Sequence, residues 1–224
     1  SRLADEASPA QRTAWVEELT ALRRTFRADM SDPDARPDPL AILHMLRALT
    51  EDDAIIATDV GQHQMWVAQH FELRHPRTLL TSGGLGTMGY GMGAAIGAQF
   101  GCPDRRVVLV SGDGSFHMNL NELTTMASYR LPVVMLVMNN QVLGMVRQWQ
   151  KVFYGSRFSA TDPHRRTDFV KLAEAFGCTG MRIEKNADVE PVLRAALANG
   201  GPVLVDCRIS PDANVLPMIP PGGT

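Results

Sequence analysis

Cysteine is scarce. The three residues, Cys102, Cys178 and Cys207, are odd in number, far apart and without paired spacing, which excludes a disulfide framework or a thiolate zinc site and fits a reducing cytoplasm. An excess of one charge sign is also missing: 22 lysines and arginines against 24 aspartates and glutamates leave a formal net charge of -2. No broad field exists to hold nucleic acid or an anionic membrane surface, so partners must be recognised locally. The opening SRLADEASPAQ has no cationic segment followed by an apolar one and does not read as a secretory signal. A long uncharged stretch, residues 78–103, carries Gly89, Gly93 and Gly97 at the spacing of packed membrane helices. Gly83, Gly84 and Gly86 interrupt it, leaving too short a continuous helix to cross a bilayer. No internal repeat or low-complexity tract breaks the chain.

What is present is apolar material for one substantial core: 45% of 224 residues are hydrophobic. Residues 10–30 place Trp15, Leu19, Leu22 and Phe26 at helical intervals, and Pro33, Pro37 and Pro39 then favour an extended connector. Residues 1–36 therefore read as a helix and linker trailing a preceding domain, and 37–224 as the compact domain. After a helix over 39–49, the apolar runs AIIATD, TLLTS, VVLVSGD, VVMLVMNN, GMRIE and PVLVDCRI alternate with helical patterns. This predicts an α/β fold with a doubly wound, mostly parallel six-stranded sheet and helices on both faces, because the runs are continuously apolar rather than alternating. The tail VLPMIPPGGT should be irregular.

Several runs end in Asp59, Ser82, Asp113 and the pair Asn139-Asn140. In an open parallel sheet the carboxyl ends of the strands form the ligand crevice, so these positions should converge. Gly112 and Gly114 flank Asp113, where backbone can approach a phosphate and a following helix start offers unpaired amides. One carboxylate and one amide oxygen, from Asp113 and Asn140, suit Mg2+, with water and diphosphate oxygens completing its shell. A competing pattern is GGLGTMG, whose Gly84, Gly86 and Gly89 have dinucleotide-fingerprint spacing; Asp113 would then hold a ribose.

GDG followed some twenty-odd residues later by NN resembles the signature of thiamine-diphosphate enzymes. Four segments narrow the resemblance to the acetolactate synthases: DVGQHQMW (59–66), TSGGLGTMGYG (81–91), GDGSFHMNLNEL (112–123) and NNQVLGMVRQWQ (139–150). It covers about residues 39–220 and implies a thiamine-diphosphate-binding fold. It further implies a magnesium site of Asp113, Asn140 and the Val142 carbonyl, with Gly61, Gln62, His63, Gly112, Gly114 and Ser115 at the diphosphate end. The Gly86 carbonyl and the Met88 amide would pair with the aminopyrimidine, and the Met88 side chain would hold the cofactor bent. Met145, Val146 and Trp149 would line the substrate channel.

The implied activity is thiamine-diphosphate-dependent decarboxylation of pyruvate and ligation of the remaining unit to a second 2-keto acid, pyruvate or 2-ketobutyrate, in branched-chain amino-acid synthesis. Family members also carry a pyrimidine-binding domain with the catalytic glutamate and a domain that binds FAD. Neither fits in this chain, so the resemblance implies little activity from it alone. It also implies a homo-oligomer, with a partner subunit's pyrimidine-binding domain across the cofactor, and a small regulatory subunit in some members. Two other readings stay open: a different thiamine-diphosphate decarboxylase or carboligase, and a non-catalytic Rossmann-like nucleotide-binding module.

Overall fold

Asp38 and Pro39 begin the domain's first helix. The Asp38 carboxylate accepts from the Leu40 amide, and proline in the first turn removes a donor that would have had no partner. The chain is seen in a computed structural model that describes residues 9–25, 28 and 30–218. In order it forms α1 (Pro9–Thr25), α2 (Pro39–Leu49), β1 (Ile55–Thr58), α3 (Gln62–His70), β2 (Leu79–Leu80) and α4 (Tyr90–Gly101). Then come β3 (Val107–Gly112), α5 (Asp113–Phe116), α6 (Leu123–Ser128), β4 (Val134–Asn139), α7 (Gly144–Phe153), α8 (Phe169–Ala175), β5 (Thr179–Ile183), α9 (Val189–Ala198) and β6 (Val203–Arg208).

All six expected strands are present in one sheet of order β2-β1-β3-β4-β6-β5, and every neighbouring pair is parallel. Successive side chains of a strand point to opposite faces, so a strand dry on both sides must be apolar throughout. On one face Val108, Val110, Val134 and Leu136 pack with Ile42 and Leu46 of α2, Val67 of α3 and Leu193 of α9. On the other, Leu109, Met135 and Val137 pack with Met92 of α4, Met126 of α6 and Phe169 of α8. The doubly wound architecture follows from these two covered faces.

The helix expected near the N-terminus forms as α1, yet Trp15 is 62% exposed and Val16 54%, with Leu19 better covered than either. The side chains of Leu22 and Phe26 lie outside the described residues. The connector after it is held to the turn before α9, where Asn186 N–H donates to the Ala35 carbonyl at 2.9 Å and Ala187 N–H to that of Pro33 at 3.0 Å.

No described helix is long and apolar enough to cross a membrane. The four-residue glycine spacing in α4 is not a packing seam of this fold, because a Cβ at Gly93 or Gly97 would meet nothing within 4 Å. Gly91 is the glycine that packing needs: a Cβ there would sit 2.7 Å from Leu109 Cδ1 and 2.8 Å from the Asp59 nitrogen. Gly93→Ala and Gly97→Ala should each stabilise the chain by about 0.5–1 kcal/mol through helix propensity. Gly91→Ala should lower its melting temperature, since backbone cannot step aside as a side chain can. Thermal unfolding of the three variants checks this; a destabilised Gly93→Ala would contradict it.

The chain leaves β1 toward β2 on one side and then crosses to β3 on the other. The connections therefore diverge at the carboxyl ends of β1 and β3, opening a crevice there.

Candidate functional site

A cavity of about 300 Å3 occupies that crevice, bounded by the ends of β1, β3 and β4 and by the loop before α4. Gly61, Gln62, His63, Gly86, Met88, Gly112, Asp113, Gly114, Ser115, Asn140, Val142, Met145 and Val146 all line it. Trp149 does not: it is 38% exposed, with its ring edge-on to Phe153 at 5.2 Å. Of the other strand ends expected to converge, Asp59 and Ser82 serve the frame, as described below.

The β1 side is built around a buried imidazole. His63 sits in the first turn of α3, is 4% exposed, and has Nε2 without a hydrogen-bond partner among the described residues. Burial pushes its pKa down to about 3, so the ring is neutral. Gly112 makes room for it, since a Cβ at that position would lie 2.8 Å from His63 Nδ1.

At the end of β3, Asp113 opens the short helix α5 and is 4% exposed. Burial pushes its pKa up to about 6, with Arg165 and the Asp113 and Gly114 amides acting in the opposite direction. Ser115 donates its hydroxyl to the Val60 carbonyl at 2.7 Å, tying this turn to the end of β1.

The end of β4 lies beside it, because Gly112 pairs with Met138 in the parallel register and both chains then run into the cavity. Gln141 adopts a left-handed φ of 61°, a costly choice for a side-chain-bearing residue that persists only where surroundings enforce it. The turn brings Val142 N–H to Asn140 Oδ1 at 3.1 Å. Asn140 Nδ2 donates to Gln62 Oε1 at 3.3 Å, so the amide nitrogen is turned to Gln62 and the amide oxygen keeps a lone pair for a ligand. Gln62 is itself fixed: its Nε2 donates to Gln148 Oε1 at 2.8 Å and to the Ala213 carbonyl at 2.9 Å. Gln148 then holds both backbone groups of Val215. Behind Asn140, Asn139 Nδ2 donates at 2.7 Å to the fully buried Asp206, which Arg182 and Arg208 neutralise.

The loop before α4 supplies the opposite wall. Gly86 and Gly89 take left-handed φ values of 63° and 88°, which glycine adopts without steric cost. Ser82 accepts from the Thr87 amide, and Asp59 Oδ1 accepts from the Gly89 amide at 2.6 Å. Ser111 donates to the other Asp59 oxygen. These contacts present Met88, 38% exposed, to the cavity. They also answer the dinucleotide pattern: the amide that would face a phosphate is given to a carboxylate, and the buried Asp59 would repel an anion there.

The lining of the cavity is of mixed character. Asp113, Asn140 and the backbone at Val142 offer hard oxygen donors, while Met88, Met138, Leu143, Met145 and Val146 supply apolar surface. Hard oxygens in small number suit a magnesium ion that takes the rest of its shell from phosphate and water. The described residues contain no cluster of three or more His, Cys, Asp or Glu that could by itself hold a metal ion. The sequence pattern did not point to Gln148, Asp206 or Arg165, because each reaches the site through a residue distant in sequence: Gln62, Asn139 and Gly114 respectively.

Fold and site together define a cofactor-binding module of the thiamine enzymes, and residues 59–207 match the family described as thiamine pyrophosphate enzyme, C-terminal TPP binding domain. The chain belongs to that family. Within it, the chain is 42% identical to a probable acetolactate synthase large subunit of Methanococcus aeolicus, over 93% of this chain and 35% of that protein. It is also 42% identical to the acetolactate synthase isozyme 2 large subunit of Escherichia coli (strain K12), over 96% of this chain and 39% of that one. A solved structure, the thiamine diphosphate-dependent 4-hydroxybenzoylformate decarboxylase of Rhodococcus jostii RHA1, superposes with a TM-score of 0.73 at 30% identity, covering 80% of this chain and 34% of that one. The chain thus spans little more than a third of the length of the curated relatives it matches.

Proposed function

We propose that this chain is the diphosphate- and metal-binding portion of an acetolactate synthase, joining pyruvate to a second 2-keto acid, pyruvate or 2-ketobutyrate, in branched-chain amino-acid synthesis. The observation that carries the reading is that Asp113, Asn140, Val142 and Met88 all line one cavity. When bound, thiamine diphosphate supplies a nucleophilic thiazolium carbon and a sink for the electron pair that decarboxylation leaves.

The chain's own residues bind, orient and dry that group. Asp113, Asn140 and the Val142 carbonyl hold Mg2+, and Gly61, Gln62, His63, Gly112 and Gly114 border the diphosphate. Ser115, whose hydroxyl is engaged with Val60, offers its amide there. The Gly86 carbonyl and the Met88 amide would orient the aminopyrimidine, and the Met88 side chain would support the cofactor from the cavity wall. Met145 and Val146 exclude water beside the substrate; Trp149 belongs to the outer rim of the same channel. The catalytic glutamate, FAD and a pyrimidine-binding domain of a partner subunit complete the reading, as does a cytoplasmic homo-oligomer able to take a small regulatory subunit. Leu85, 94% exposed, and Met118, 58% exposed, support such a subunit contact near the site.

Calorimetric titration tests the core of this. Thiamine diphosphate should give heat only with Mg2+ present, and NAD none; heat with NAD alone would favour a nucleotide-binding module. Product analysis of the protein from its complete gene, fed pyruvate, should find acetolactate; acetaldehyde instead would mean a simple decarboxylase.

A further inference from the structure

We propose that Arg165 is a second cation of the cofactor site, reaching from the loop after α7 to neutralise the diphosphate beside the metal; this rests on the cofactor reading above. A diphosphate ester together with the Asp113 carboxylate carries more negative charge than one divalent ion can offset. The residues that line the cavity include no lysine or arginine. The charge has to come from just beyond the lining, and Arg165 stands there.

Three observations place it. A Cβ built on Gly114 would point between Leu143 Cδ2 at 3.4 Å, Arg165 Nη1 at 3.5 Å and Met88 Cε at 3.9 Å. Leu143 and Met88 are both cavity walls, so the guanidinium lies just behind the lining they form, on the Gly114 side. Nη1 is buried and has no hydrogen-bond partner among the described residues. A buried cationic N–H without an acceptor costs free energy that an anionic ligand would recover.

The loop holds Arg165 on both sides. Leu143 N–H donates to the Thr161 carbonyl at 2.7 Å, and the Thr167 hydroxyl meets His117 Nε2 at 2.8 Å. Asp168 then caps α8 and pairs with Arg182 at 2.7 Å. Arg166, the next residue, is exposed and serves as a charge-matched control.

The test is calorimetry on the chain with thiamine diphosphate and Mg2+, folding being checked by circular dichroism. Arg165→Gln should weaken binding at least about tenfold, the scale of one charge-assisted contact, while Arg166→Gln leaves it unchanged. Arg165→Lys, which keeps the charge and loses the fork, should fall between wild type and Arg165→Gln and covers the case in which the glutamine variant misfolds. Wild-type binding together with equal or tighter binding by Arg165→Gln would overturn the proposal alone; tighter binding would show that Arg165 merely fills the metal's place. No thiamine diphosphate binding by wild type in Mg2+ would overturn the functional reading itself.

Discussion

Asp113→Asn is expected to abolish magnesium-dependent binding of thiamine diphosphate and, at neutral pH, to stabilise the ligand-free chain. Both effects follow from the proposal that the carboxylate is kept buried for a cation. Burial raises its pKa from the ordinary 3.8 to about 6, so the folded state prefers the protonated form. The group's favourable contribution is full below pH 3.8 and is lost as pH rises through 6; above that, ionisation costs roughly 3 kcal/mol. An amide of the same shape never incurs the cost. Thermal unfolding without metal should show the variant more stable than wild type at pH 7.5, with the difference gone at pH 3. Affinity for thiamine diphosphate in Mg2+ should fall by more than about 100-fold, since even indirect partners of metal ligands are worth 10- to 100-fold. A variant that is destabilised at pH 7.5, or that still binds in a magnesium-dependent way, would contradict this account.

Gln148→Leu should cost the fold roughly 3 kcal/mol and loosen the segment from Ala213 to Met218. Gln148 is 1% exposed and is the buried residue of an otherwise surface-facing α7. Its carbonyl oxygen accepts from Gln62 Nε2 and from the Val215 amide, both at 2.8 Å, and its own amide donates to the Val215 carbonyl at 2.8 Å. Leucine fills similar volume but strands the backbone groups of Val215, at about 1–3 kcal/mol for each buried group left without a partner. Gln62 keeps its bond to Ala213 but loses half its anchorage, and with it the restraint on Asn140. Urea unfolding should report the loss of stability, hydrogen exchange should report faster exchange at Val215, and cofactor affinity should drop with them. Unchanged Val215 protection would show that the relay does not hold the tail.

The sheet was legible because β3 is apolar from Val107 to Val110 and β4 from Val134 to Met138, with no polar alternation, a pattern that arises when both faces are covered. Asp113 and Asn140 were legible for a related reason. Strands side by side in a parallel sheet end side by side, so two polar residues at strand ends report a shared location before any coordinate is known. α7 was only half legible. Met145, Val146, Trp149, Val152 and Phe153 put apolar residues around much of its circumference, and periodicity cannot say which face is covered. The structure buries Gln148 and leaves Trp149 against Phe153, because the covering partner is a polar backbone segment far along the chain. Arg165 lies in a loop with no period at all, where position is set by Thr161 and Thr167 contacts that no local pattern encodes. α1 shows the opposite failure, a helix foreseen from its spacing that leaves Trp15 and Val16 more than half exposed.

A crystal of the chain grown with thiamine diphosphate and Mn2+, a magnesium substitute visible by anomalous scattering, addresses the metal site directly. The ion should appear bonded to an Asp113 carboxylate oxygen and to Asn140 Oδ1, each about 2.1 Å away, with diphosphate oxygens completing its shell. An anomalous peak elsewhere, with Asp113 and Asn140 free of metal, would contradict the account.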